Sequence, residues 1–120
     1  MWCLDTYALF EIHNGNEKFV EYLDETAVIP ETTLAEFYGL LYKRYNEKTA
    51  EYWYKKFSFL SRSVGLLNFI KAIKYRIDHT KEDLSFHDCV GYIYAQENNL
   101  KFITADKAFK ERPNVEFVTT

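Results

Sequence analysis

Residues 100–109, LKFITADKAF, decide how the chain is read. Leu100, Phe102 and Ile103 form a short apolar run with the β-branched content of a buried strand, and Asp106 follows just past its end. A carboxylate where a buried strand surfaces is either a helix cap or part of a site. The same pattern stands at the start of the chain, where Trp2-Cys3-Leu4 leads into Asp5. Between these two strands the periodicity predicts helices over 6–13 and 17–24, the first ended by Asn14-Gly15-Asn16 and the second with Phe19, Val20 and Leu23 facing inward. Residues 26–30, TAVIP, read as a strand closed by Pro30. A long helix follows from about Thr33, with Leu34, Phe37, Tyr38, Leu41 and Tyr45 at helical spacing. Another helix spans about 47–60, a short strand 61–64, and a further helix carries Leu66, Ile70, Ile73 and Ile77 on one face. HTKED (79–83) breaks that helix, Ser85 opens the next, with Val90, Ile93 and Tyr94 on its apolar side, and residues 115–118 form a last edge strand. Strands alternating with helices predict an α/β fold, a parallel sheet with helices on both faces, in which the strand C-terminal ends share one rim. Ligands bind such sheets at that rim.

Composition sets the limits. With 120 residues, 48% of them hydrophobic, the chain suits a single domain over 1–120 with a substantial core, and 4 Gly and 2 Pro leave little room for flexible linkers. A net charge of −3 argues against a nonspecific nucleic-acid coat, though not against an enzyme whose acidic site takes up cations first. No apolar run approaches the roughly 20 residues of a membrane span. The start, MWCLDTYALF, lacks a basic leader region and carries Asp5, so the expectation is a cytoplasmic protein without membrane attachment. Cys3 and Cys89 make no metal-type pair and read as buried reduced thiols.

Four acids are placed where the rim would be. Asp5 and Asp106 end strands; Glu36 lies near the start of the helix after TAVIP; Asp88 lies in the first turn of the helix opened by Ser85. The placement of Asp88 is open on this reading, because its helix follows another helix rather than a strand. Each acid alone has an ordinary explanation: Thr33–Glu36 and Ser85–Asp88 fit capping boxes, and Asp5 and Asp106 fit N-caps. Caps do not explain convergence. Like charges gathered in one cleft raise one another's pKa values unless a cation neutralises them. An oxygen-only donor set suits Mg²⁺ or Mn²⁺ over Zn²⁺.

At this point the sequence resembles a known family. LDTYAL (4–9), TTLAEFYGL (32–40) and HDCVGYIYAQENNLKFITADKAF (87–109), in this order and spacing, resemble a PIN domain, and within that family the VapC-type toxins. The resemblance runs from Leu4 to about Val118. It implies an α/β/α sandwich with a central parallel sheet of four to five strands, a Mg²⁺- or Mn²⁺-dependent endoribonuclease, and a homodimer held in check by a small VapB-like antitoxin. It maps the family's acids onto Asp5, Glu36, Asp88 and Asp106, as catalytic and metal-holding residues, and so puts Asp88 at the rim. Thr6 and Thr104 match the hydroxyl residues flanking the site and would orient its acids. Two departures stand out: Ala108 occupies a position where many members carry a further acid, and Cys89 one where Ala is common.

Among the remaining residues, Lys107, Lys110 and Arg112 lie nearest the rim in sequence and are the candidate phosphate contacts with an RNA substrate. His13, His79 and His87 share no spacing, and His87 is expected to point about 100° away from Asp88 on its helix. The helix at 47–60 has two apolar sides, Ala50, Trp53, Tyr54 and Phe57 on one and Tyr52 and Phe59 on the other, which favours a groove for a partner, either a second protomer or an antitoxin helix. Two other functions fit less of the sequence. A PIN-like scaffold that binds RNA or protein without cutting would keep the fold and lose metal affinity. A receiver-like phosphoacceptor domain would need a second acid beside Asp5, which the first strand does not supply.

Overall fold

A computed structural model describes residues 1–119. Among them, strands β1 (Trp2–Leu4), β2 (Ala27–Pro30), β3 (Ser61–Arg62), β4 (Lys101–Thr104) and β5 (Val115–Phe117) form one sheet, ordered β3-β2-β1-β4-β5. Every neighbouring pair is parallel. The chain fills one half of the sheet outward from β1 and then returns to lay β4 on the other side of β1. The strand order therefore reverses between β1 and β4, and it is at such a reversal, beyond the strand ends, that sheets of this kind bind ligands.

Helices α1 (Thr6–His13), α2 (Glu17–Val20), α3 (Glu31–Arg44), α4 (Glu47–Phe57), α5 (Leu66–Asp78) and α6 (Phe86–Glu97) cover the sheet. The period-2 alternation of the strands feeds two cores. Leu4, Ile29 and Ile103 point to the face covered by α1 and α3, against Leu9, Phe37 and Leu41. Cys3 and Phe102 point to the other, against Val90, Tyr92 and Phe109. On that second face α6 lies very close to β4: a Cβ added at Gly91 would sit 2.9 Å from Phe102 Cε1, so only glycine fits. The stop after α1 uses a second glycine, Gly15, at φ +79. Cys3 and Cys89 are buried and free.

Several local expectations are corrected. The second helix ends at Val20 rather than reaching Asp24, and Val20 is exposed. Asp24 instead accepts from the Thr26 N–H and hydroxyl, at 2.8 and 2.6 Å, which turns the chain into β2. α3 starts at Glu31 with Pro30 as N-cap, so the box expected at Thr33 does not form; Thr33 is already helical and only 2% exposed. The fixed φ of Pro30, −57°, lets the strand pass straight into the helix without a side-chain cap. The strand expected over 61–64 shortens to Ser61–Arg62. Tyr45 caps the end of α3 and is exposed. The aliphatic face of α5, Leu66, Ile70, Ile73 and Ile77, lies outside; Asn68 and Ala72 are the residues that turn inward.

Candidate active site

Asp5 and Asp106 follow β1 and β4, the two neighbouring strands between which the order reverses. The Asp5 N–H still donates to Ile103 O at 3.3 Å, so the two strand ends lie side by side. Both acids are also caps. Asp5 Oδ1 accepts from the Ala8 N–H at 2.7 Å, and Asp106 Oδ1 from the Ala108 N–H at 3.0 Å. Capping uses one carboxylate oxygen and leaves the other for a second partner, so a cap and a site are compatible here.

Glu36 is the sixth residue of α3, one turn deeper than expected. It is tied to the rim by Thr6, whose hydroxyl donates to Glu36 Oε1 across from the first turn of α1. Asp88 reaches the rim through the α5–α6 hairpin. Lys71, early in α5, pairs with Glu97 at the end of α6 (2.6 Å), and Arg76, late in α5, donates to Leu84 O ahead of α6 (2.8 Å). The two helices are therefore antiparallel. Because α6 feeds β4 from below, with Leu100 N donating to Ala95 O, its N-terminus stands at the rim. Ser85 Oγ accepts from the Asp88 N–H at 3.1 Å and fixes that end.

The electrostatics show how close the four acids come. Burial pushes the Asp5 carboxyl up to about 7; the charges of Asp88 and Asp106 add to the rise, and hydrogen bonds from Thr104 and the Ala8 N–H hold it back. Asp5 is only 4% exposed. Burial likewise pushes Asp88 up to about 6, with Asp106 and Glu36 adding and Ser85 and His87 opposing. Thr104, fully buried, also accepts from the Asp106 N–H at 3.0 Å, so one hydroxyl touches both strand-end acids. His87, which its direction on the helix set aside, nevertheless lies close enough to Asp88 to oppose the rise of that carboxyl; adjacency in sequence was the available signal. Its Nδ1 is buried without a partner among the described residues.

The acids lie within electrostatic reach of one another, yet among the described residues no three His, Cys, Asp or Glu side chains close around one point as a metal cage. The donor set nevertheless fits a hard divalent cation. Mg²⁺ keeps several waters and needs only one or two carboxylates directly, and buried acids that raise one another's pKa values lack a countercharge.

The three basic candidates separate. Lys107 is exposed beside Asp106. Lys110 lies over the Phe117 ring at 5.3 Å, and Arg112 is engaged by both carboxylate oxygens of Glu82. The hollow of about 480 Å³ that they border holds Glu82 and Glu111 as well as Lys107 and Arg112, so its charges balance.

Comparison with known proteins agrees with this fold. A family model described as the PIN domain matches residues 2–115. The chain belongs to the PIN domain family. Solved structures similar to this PIN domain include a toxin–antitoxin complex from Klebsiella pneumoniae, with 18% identity, TM-score 0.77 and 100% of both chains covered. Another is Mycobacterium tuberculosis VapC20, a toxin that cleaves the sarcin-ricin loop, with 16% identity, TM-score 0.75 and coverage of 100% of this chain and 98% of that one. A third is Rickettsia felis VapBC2 bound to a promoter DNA fragment, with 16% identity, TM-score 0.72 and coverage of 98% and 97%. Comparison with curated proteins gives no match. Among the described residues, no helix is long and apolar enough to cross a membrane.

Proposed function

We propose that this PIN domain is a metal-dependent endoribonuclease of the VapC toxin type, cleaving RNA phosphodiester bonds with Mg²⁺ or Mn²⁺ held by Asp5, Glu36, Asp88 and Asp106. The observation that carries this reading is that four separate elements deliver carboxylates, Asp5 buried and Glu36, Asp88 and Asp106 half-buried, to the end of the sheet where the strand order reverses, with charges that act on one another. Bound there, the ion would supply an acidic water and positive charge for the phosphoryl transition state. Thr6 orients Glu36, and Thr104 holds Asp5 and Asp106 in register. Carboxylates not engaged by the ion are the groups able to accept the proton of the attacking water. Lys107 is the basic side chain left to meet a phosphate beside Asp106.

The toxin–antitoxin complexes among the structural neighbours support an antitoxin partner for this chain as well. A groove of about 340 Å³ between α3 and α4, lined by Leu34, Ala35, Tyr38 and Tyr54 and edged by Glu31 and Glu51, suits an apolar segment carrying basic residues. The exposed stripe of α5 supports a homodimer. Leu66, Ile70, Ile73 and Ile77 are spaced four, three and four apart, the seam of helix-on-helix packing. Ile73→Glu is expected to convert a dimer to a monomer in light scattering, with the far-ultraviolet circular dichroism unchanged; an unchanged mass would remove α5 from the interface.

The decisive experiment incubates the purified protein with a structured RNA such as tRNA, in Mn²⁺ or Mg²⁺ and in EDTA, beside Asp88→Asn. Cleavage is expected to require the metal and to fall on the order of a hundred-fold or more in the variant, which keeps the Ser85 contact because that contact uses the backbone N–H. Metal binding without cleavage would favour the silent scaffold. No metal binding would leave Asp5 and Asp106 as caps only and take the metal role from all four acids.

A further inference from the structure

The outer side of α4 carries rings and cations in one line. Lys48, Tyr52, Lys55 and Phe59 follow one another at intervals of four, three and four, so they share a face of α4 and of the short turn, Ser58–Leu60, that extends it. Tyr52 is 59% exposed and Phe59 71%. The helix is anchored by its opposite side, where Ala50 and Phe57 are buried and Trp53 packs on the core. Lys56 borders the line, its Nζ 5.8 Å from the Tyr52 ring centroid and 5.2 Å from that of Trp53. Glu47 and Glu51 border the line on its other flank, in one hollow with Lys48, Tyr52 and Lys55, and Glu51 also accepts from the Tyr38 hydroxyl of α3 at 3.4 Å.

The line ends at the rim. Phe59 stands two residues before β3, whose Ser61 and Arg62 pair with Ile29 and Pro30, the point where β2 passes into the helix that carries Glu36. Arg62 extends the line. Its Nη1 donates to Ser61 O at 2.9 Å and Phe59 O at 3.3 Å, which pins one arm of the guanidinium at this edge. In a chain of net charge −3, residues 43–62 hold six of the 15 Lys and Arg against two acids.

We propose that this face is a track for single-stranded RNA, with bases stacked on Tyr52 and Phe59 and phosphates met by Lys48, Lys55, Lys56 and Arg62, leading the strand to the carboxylates at the rim. The proposal rests on the nuclease reading for its destination. Its chemistry rests on the residues. Every base has a π-face that stacks on an aromatic ring, and lysines beside the rings are placed to meet the phosphates that join the bases. The centre of a protein interface would be poor in lysine. The α5 stripe makes the contrast, being aliphatic, without a ring on which a base could stack.

The test is fluorescence anisotropy of a labelled single-stranded RNA of about 12 nucleotides with the full chain in EDTA. Tyr52→Ala/Phe59→Ala is expected to bind at least about tenfold more weakly. Tyr52→Leu/Phe59→Leu, which keeps apolar bulk and removes the π-face, is expected to be equally weak, and Tyr52→Trp/Phe59→Trp to retain affinity. Lys55→Gln/Lys56→Gln should flatten the slope of log affinity against log salt by about 1.4. Because these side chains are exposed, the folded circular dichroism spectrum should not change. Affinity within twofold of wild type in the alanine pair overturns the track, and so does an affinity kept by the leucine pair. A change of oligomeric mass in place of RNA affinity would assign the face to a protein partner. RNA binding that depends on Tyr52 and Phe59 in a protein that never cleaves would keep the track and remove the nuclease. Cleavage with ring-independent binding would do the reverse.

Discussion

Asp5→Asn is expected to abolish metal-dependent RNA cleavage and, in EDTA at pH 8, to make the protein more stable than wild type. The two effects have one cause. Asp5 is buried at the end of β1 beside Asp88 and Asp106, and its carboxyl is pushed up to about 7. A folded pKa above the unfolded value means that the folded state holds the proton more tightly. Stability is therefore full at acid pH, falls as pH rises from about 4 to about 7, and stays low above that. The loss is on the order of 2–4 kcal/mol for a shift of this size. Asparagine carries no charge and keeps the oxygen that accepts from the Ala8 N–H, so its melting temperature should fall less than that of wild type over the same range, the remaining fall coming from Asp88, which burial pushes up to about 6. Thermal denaturation of both proteins at pH 5 and pH 8 is the check. If Asp5→Asn melts no higher than wild type at pH 8, Asp5 is an ordinary cap, and the strain expected of a functional carboxylate is absent.

Phe102→Ala is expected to lower the melting temperature more than any other single change on the sheet. Phe102 is fully buried in β4, with ring centroids 5.4 Å from Phe109 and 6.0 Å from Tyr92, and its edge fills the space that Gly91 leaves in α6. Removing the ring leaves a cavity bounded by a helix and a strand that are already in close contact. The cost is about 3–5 kcal/mol, roughly 10–20 °C for a domain of this size. β4 also delivers Thr104 and Asp106, so residual cleavage measured well below the melting point should survive. A shift under about 5 °C would mean that α6 collapses onto the strand and closes the hole.

How far the site was legible in the sequence varies by residue. Asp5 and Asp106 each follow an apolar run that ends abruptly, and the end of a buried strand is visible in hydrophobicity alone. Glu36 was placed by the helix that follows TAVIP; the capping box that would have been its ordinary explanation does not form, Pro30 standing at the N-cap position, and Thr6 reaches across to the acid. Asp88 could not be placed from the residues. Its position depends on α5 and α6 forming an antiparallel pair, and the contacts that make them so, Lys71 with Glu97 and Arg76 with Leu84, are long-range. Arg112 looked like a free cation near the rim until the fold brought Glu82 against it.

The sequence by itself determined the alternation of strands and helices, the parallel sheet this requires, the stop at Asn14–Asn16 and the two strand-end acids, because these follow from local periodicity and turn chemistry. Tertiary structure alone decided the order β3-β2-β1-β4-β5, the arrival of Asp88, and which side of α4 and α5 faces out. Periodicity shows that a helix has an apolar side; it does not say what covers that side. In α5 the side that meets α6 carries Ala72 and Asn68, whose amide donates to Val90 O, and the larger aliphatic side chains stand on the surface.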